Sequence, residues 1–312
     1  MKQFRPRGYA LFLALLIATS PLFAAPSRGF GFGVIAHAFK EGSDEPALRD
    51  AIASTDAENL AFVVTDGIKS AREPCNDSLY LHRKDILASA KNGLIVSLAG
   101  SDWIGCKSDD GQPVALERLN RLREIFFSDE YSLGESKLPL SRQSAISKFR
   151  SYGENARWEV NGIEFATINL PAENNHYLAA AGRNSEFEDR VIANRNWLQR
   201  IFRVASRRKA SGIVLFFDGD PSIARTKEQK PPDGRRDGFM EFRKEIRTLA
   251  SHFHGQVLLV HGSEAGDKAD RIRWNANLGD LSVPRGWKRI NVAPGAATVF
   301  ALQEEGANRR TR

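Results

Sequence analysis

The feature that most constrains the fold is an alternation of short apolar runs with amphipathic segments, interrupted once by a tight hairpin. Residues 32–35 read as a buried strand, and Asp44 with Pro46 marks a helix start, where the missing proline N–H costs nothing. Residues 60–64 and 94–98 are further strands, separated by a helix over 78–89. Residues 114–127 set Leu116, Leu119, Leu122, Ile125 and Phe126 on one helical face and leave Arg118, Arg121 and Arg123 mostly outside it. The rhythm then breaks. Strands at 157–160 and 163–170 flank Asn161-Gly162, a strong two-residue hairpin signal.

Alternation resumes with a long helix over 186–208, a strand at 213–217, a helix over 239–253 and a strand at 256–261. The polar stretch 222–238 between them reads as a surface insertion. Short runs at 272–274, 288–292 and 297–302 suggest a closing group of antiparallel strands. Gly29-Phe30-Gly31-Phe32-Gly33 reads as a flexible entry to the first strand. Consecutive β-α units followed by hairpins imply an α/β protein with mixed sheets covered by helices. No Pro-, Gly- or Ser-rich linker divides it, so one domain is expected over 25–302, with a polar tail at 303–312.

The 312 residues carry 45 basic and 38 acidic side chains, a formal charge of +7. Part of that excess belongs to the N-terminus. Lys2, Arg5 and Arg7 precede a short apolar run, and Ala24 ends it, the layout of a secretory signal peptide over 1–24. The run is well short of the roughly 20 apolar residues needed to cross a bilayer. Cleavage after Ala24 removes the three basic residues and leaves +4, too mild to imply a nucleic-acid partner. Arg207-Arg208-Lys209 and Arg235-Arg236 then read as solvated surface. No later segment is long enough to span a membrane, so the expected location is periplasmic or secreted.

An exported chain with two cysteines, Cys75 and Cys106, can hold them as a disulfide. Closing that loop would contribute about 3 kcal/mol through the unfolded state. Two buried free thiols are the alternative.

In open α/β sheets, ligands gather beyond the carboxyl ends of the strands. The residues there are His37, Asp66, Ser101 and Asp102, then Asn174, Asn175 and His176, then Asp218 and Asp220, and finally His261. Such side chains suit borderline and hard divalent cations. Each also has a plainer reading: His37 and His261 as hydrogen-bonded histidines, and Asp66-Gly67 and Asp218-Gly219-Asp220-Pro221 as turns. His252 and His254 read as cations at a helix C-terminus.

Several segments together resemble an exported branch of the calcineurin-like metallophosphoesterases. They are Phe32 to His37, Phe62 to Ser70, Pro74-Cys75-Asn76-Asp77, Trp103 to Cys106, Glu117-Arg118-Leu119, Arg142-Gln143-Ser144, Glu154-Asn155-Ala156-Arg157-Trp158 and Asn174-Asn175. The resemblance covers nearly all of the chain after the signal segment. It implies a four-layer α/β/β/α fold, two mixed sheets packed together with helices outside. In active members it also implies a dinuclear metal site (Mn, Fe or Zn) that activates a water for attack on a phosphoester.

The chain departs from that pattern at its metal motifs. Ala36-His37 stands where an acidic ligand is expected, Asp66-Gly67 reverses a Gly-Asp pair, and Gly100-Ser101-Asp102-Trp103 lacks the bridging Asn. His261-Gly262-Ser263-Glu264-Ala265 keeps only the leading His. The available ligands are then His37, Asp66, Asp102 and Asp218, with His261, Asn174 and Asn175 in catalytic positions.

Two readings follow. In one, the chain keeps the fold with an eroded metal site and binds a phosphorylated or other anionic ligand. In the other, it is a metal-dependent phosphoester hydrolase with an atypical mono- or dinuclear site.

Overall fold

The computed structural model describes residues 28–36, 39, 44–178, 184–223, 236–262 and 271–303. The segment 1–24 and His37 lie outside them. A five-stranded sheet has the order β12-β11-β1-β2-β3 and a seven-stranded sheet the order β4-β5-β6-β7-β8-β10-β9. The first sheet is built from β1 (Phe30–Ala36), β2 (Val63–Asp66), β3 (Leu94–Ser97), β11 (Gly286–Val292) and β12 (Phe300–Leu302). The second contains β4 (Ser141–Arg142), β5 (Ala156–Val160), β6 (Ile163–Thr167), β7 (Gly212–Phe217), β8 (Gln256–Gly262), β9 (Arg273–Asn275) and β10 (Leu278–Val283). Both sheets are mixed: β1, β2 and β3 run parallel while β11 is antiparallel to β1. Strands β6, β7, β8 and β10 run parallel while β5 and β9 are antiparallel to their neighbours.

Period-two alternation decides what each strand face meets. Phe32, Val34, Phe62, Val64 and Ile95 of the first sheet share one buried cluster with Trp158, Phe165, Val214, Phe216, Leu258 and Val260 of the second. This is the seam between the sheets. Its centre is aromatic: Phe62 lies 4.8 Å from Phe165 and 5.3 Å from Trp158, both edge-on. Such pairs add about 0.5–1.5 kcal/mol beyond area burial.

The opposite face of the first sheet packs on α1 (Glu45–Asp56), α2 (Asp77–Ala88) and α3 (Ala115–Phe126). That of the second packs on α5 (Ser185–Arg207) and α6 (Met240–Ser251). The layers are therefore helix, sheet, sheet, helix, the architecture that the sequence resemblance implies.

Three details differ from the sequence reading. Residues 30–33 belong to β1 and are not a loose entry; glycine at 31 lets the Arg289 side chain cross the strand, since a Cβ there would sit 2.8 Å from Arg289 Nε. The closing runs do pair antiparallel, as β9 with β10 and β11 with β1 and β12, but a further strand, β10, runs parallel to β8 and extends the second sheet. Asp44 occupies the N-cap position of α1 without a side-chain cap bond; its carboxylate pairs with Arg285.

Candidate functional site

Strand parity brings two carboxylates to one end of the seam. Phe62 and Val64 face the second sheet, so Asp66, two residues on, enters the seam at the end of β2, and its register partner on β3 is Ser97. From the other sheet, Val214 and Phe216 face the seam and Asp218 follows directly after β7. Asp66 is 9% exposed, and neither carboxylate oxygen has a hydrogen-bond partner; the buried Ser97 hydroxyl has none either. Burial, then the charges of Asp218 and Asp102, push the Asp66 pKa well above the usual carboxylate range.

Asp218 and Asp102 are engaged by the backbone. Asp218 Oδ2 accepts the N–H groups of Gly100 and Ala172, each at 2.7 Å. Asp102 Oδ1 accepts from Ile68 at 2.9 Å and Lys69 at 3.2 Å, and its Oδ2 accepts from Ala99 at 2.9 Å. The turn that aims those two donors at Asp102 needs Gly67, whose φ of +79° is a left-handed conformation that side chains disfavour.

Burial pushes Asp102 up to about 7 against the pull of these donors and of Lys69, and burial likewise raises Asp218. The Lys69 ammonium donates to the carbonyls of Ser70 and Ser101, and burial lowers its pKa against the pull of Asp102. The disulfide Cys75–Cys106, joining residues 31 apart, ties the loop after β2 to the loop after β3. Tyr80 adds a hydroxyl bond of 3.0 Å to the Asp102 carbonyl.

His261 lies on the other face of the second sheet, near enough for its charge to act on Asp218. Val257 and Leu259 face the outer helices, and the same parity carries His261 to that face, where it stacks on Phe217 at 5.8 Å. Its Nδ1 lies 2.7 Å from the Gly262 carbonyl and its Nε2 3.1 Å from Asp280 Oδ1. Both partners are acceptors, which favours the charged ring, with a proton on each nitrogen, over the neutral one. Burial works against that charge, but Asp280, Asp220 and the Gly262 carbonyl outweigh it and raise the His261 pKa. Asp280 is in turn held by Arg273 at 2.8 Å.

Asn174 and Asn175 serve a left-handed turn, α4 (Ala172–Asn175). Glu173, Asn174, Asn175 and His176 have φ between 51° and 58°, a conformation that costs of order 1 kcal/mol or more per residue unless the surroundings hold it. Fully buried Arg190 donates to both the side-chain and backbone oxygens of Asn175. Asn175 Nδ2 donates to the Gly238 carbonyl at 2.9 Å, and Gly238 N–H donates to Asn174 Oδ1 at 2.7 Å. A Cβ on residue 238 would lie 2.1 Å from the Asn174 carbonyl oxygen, so only glycine permits this approach. The turn places His176 edge-on to Trp103 at 4.8 Å, and burial lowers the His176 pKa.

Asn155, another residue of the framework, is also held by a hydrogen-bond network. Asn155 donates to Gln143 at 2.7 Å and to Asn194 at 3.0 Å, and accepts from Asn169 N–H at 2.8 Å, which fixes the segment leading to the turn.

Among the described residues, the donors do not fit a dinuclear metal centre. Asp102 accepts three backbone donors, His261 has both ring nitrogens facing acceptors, and Asn174 and Asn175 are committed to their own turn. Among the described residues, no group of three His, Cys, Asp or Glu is placed to hold a metal ion. Among the described residues of this group, Asp66 is the one whose two carboxylate oxygens are both unpartnered. Ser97, Lys69 and Arg190 are the contributors that sequence reasoning missed; parity from Ile95 points to Ser97, whereas nothing local to Arg190 signals Asn175.

No protein-family model and no curated protein matches the sequence. Among solved structures, the chain is similar to a purple acid phosphatase from yellow lupin (Lupinus luteus) seeds, at 10% identity with a TM-score of 0.47. That likeness covers 86% of this chain and 50% of the lupin chain, so the present chain spans about half its length. It is also similar to a phosphatase from Mycoplasma pneumoniae, at 7% identity and a TM-score of 0.44, over 92% of this chain and 98% of that one.

Proposed function

We propose that this is an exported, metal-independent binding protein on a phosphoesterase-like framework, with little or no hydrolytic activity of its own. The observation that carries the reading is the engagement of Asp102 by three backbone donors. A carboxylate that holds three backbone N–H groups in place braces the loops after β2 and β3, and metal coordination would have to compete with those bonds. His261 supports it from the other sheet, because both its ring nitrogens already face acceptors within the fold. Its charge and that of Lys69 supply positive charge within the fold, beside Asp218 and Asp102 respectively.

The signal-like segment 1–24 supports export, and the Cys75–Cys106 disulfide suits an oxidising compartment. The ligand expected on this reading is a phosphorylated or other anionic small molecule or surface group.

Asp66 favours one second reading. Its two unpartnered oxygens beside Asp218 suit a single divalent cation, the residue of an atypical hydrolase site. Metal content and phosphodiester turnover, measured on the same protein, separate the two: stoichiometric metal with turnover supports the hydrolase, and neither supports the binding protein.

A further inference from the structure

A concave site lies at the opposite end of the molecule from the strand-end carboxylates, where β7 and β8 begin. It is a cleft of about 550 Å³ between the C-terminal end of α5, the turn before β8, the β9–β10 turn and the loop before β12. That volume lies within the range of small-molecule sites. Phe253, Val299 and several alanines give it apolar walls, and Ser206, Ser211, Lys209 and His254 add polar groups. The two ionisable residues among those that line it are Lys209 and His254, both basic.

Lys209 is also placed against its own conformational preference. Ala210 N–H bonds to the Ala205 carbonyl at 2.9 Å and Lys209 N–H to the Ser206 carbonyl at 3.1 Å, the Schellman arrangement that ends a helix. The position that Lys209 fills, at φ +54°, is the one where glycine is normally found. A cation near a helix C-terminus has a dipole role available to it, but that role does not require this residue, since Arg207 already lies in the last turn of α5. Among the described residues Lys209 has no ion-pair partner.

We infer that this cleft binds a small organic anion, with a carboxylate or phosphoryl group on Lys209 and an apolar body against Phe253 and Val299. The site is independent of the strand-end carboxylates. His254 and the hydroxyls of Ser206 and Ser211 are the further donors that such a head group would meet.

The test is calorimetric titration of the full chain with phenylphosphonate, benzoate and, as the uncharged comparison, benzyl alcohol. Saturable binding of at least one anion and none of benzyl alcohol is expected; the stronger of the two anions names the head group. Lys209→Gly and Lys209→Asn, both compatible with a left-handed residue, should weaken that binding roughly tenfold, as loss of a charge-assisted hydrogen bond does. Neither variant should lower the melting temperature. Asp66→Asn should bind as the parent does, which separates this cleft from the strand-end site. No saturable binding of either anion, equal binding of benzyl alcohol, affinity unchanged in both Lys209 variants, or binding lost in Asp66→Asn would overturn the inference.

Discussion

Asp66 and Ser97 are register partners across β2 and β3, and none of their three side-chain oxygens has a hydrogen-bond partner. This pair, together with Trp158 Nε1, is where the seam departs from the rule that buried polar groups are satisfied. Asp66 therefore takes up a proton on folding. Its folded pKa is raised above the unfolded value, so the folded state binds more protons between the two and stability falls as pH rises through that window.

Asp66→Asn removes the ionisation and should stabilise the chelated protein at pH 7.5 by roughly 1–3 kcal/mol, the scale of an unsatisfied buried group. The gain should shrink to a few tenths of a kcal/mol near pH 4, where the unfolded carboxyl is about half protonated. Chemical denaturation at the two pH values measures it.

His261 gives the opposite kind of dependence. Its folded pKa is raised, so its contribution is fully present below the unfolded value near 6.5 and is lost as pH rises through the folded one. Asp280→Asn should lower the His261 pKa, which its ring-proton shifts in NMR would follow, and should destabilise the fold by about 3–5 kcal/mol as breakage of a buried pair does.

Arg190 is fully buried and holds the left-handed turn through Asn175 while pairing with Glu186 at 2.7 Å. Arg190→Met should cost about 3–5 kcal/mol, because it leaves Asn175 and Glu186 without their partner. His176 should also lose its fixed place on Trp103, and tryptophan fluorescence in mild denaturant would report this before global unfolding.

Cys75→Ser with Cys106→Ser opens a closed loop of 31 residues and should cost about 3.5–4 kcal/mol. Hydrogen exchange at Ile68 and Lys69, the donors to Asp102, should accelerate more than exchange in α5 and α6.

The strand and helix order was largely legible because buried strands and amphipathic helices carry their periods locally. The same period already contained the separation of Asp66 from His261, since one continues the seam-facing set of its strand and the other the helix-facing set. Strand β10 was not legible: Leu278-Gly279-Asp280-Leu281 carries a glycine and a buried acid. Asp280 is tolerated there because His261 and Arg273 satisfy it. The roles of Asn174, Asn175 and Asp102 were hidden for a related reason. Their partners, Gly238, Arg190 and the 67–69 turn, are set by tertiary contact, and polar residues at strand ends look alike in sequence whether they bind a ligand or brace a loop.

The central claim is that the strand-end carboxylates brace loops and do not hold a pair of metals. The most direct measurement is elemental mass spectrometry of the intact protein equilibrated with manganese, zinc or iron and freed of unbound ions, with a chromogenic phosphodiester assay on the same samples. The account predicts no stoichiometric metal and no turnover above buffer. About two ions per chain, the complement of a two-metal site, with turnover lost in Asp66→Asn, would contradict it.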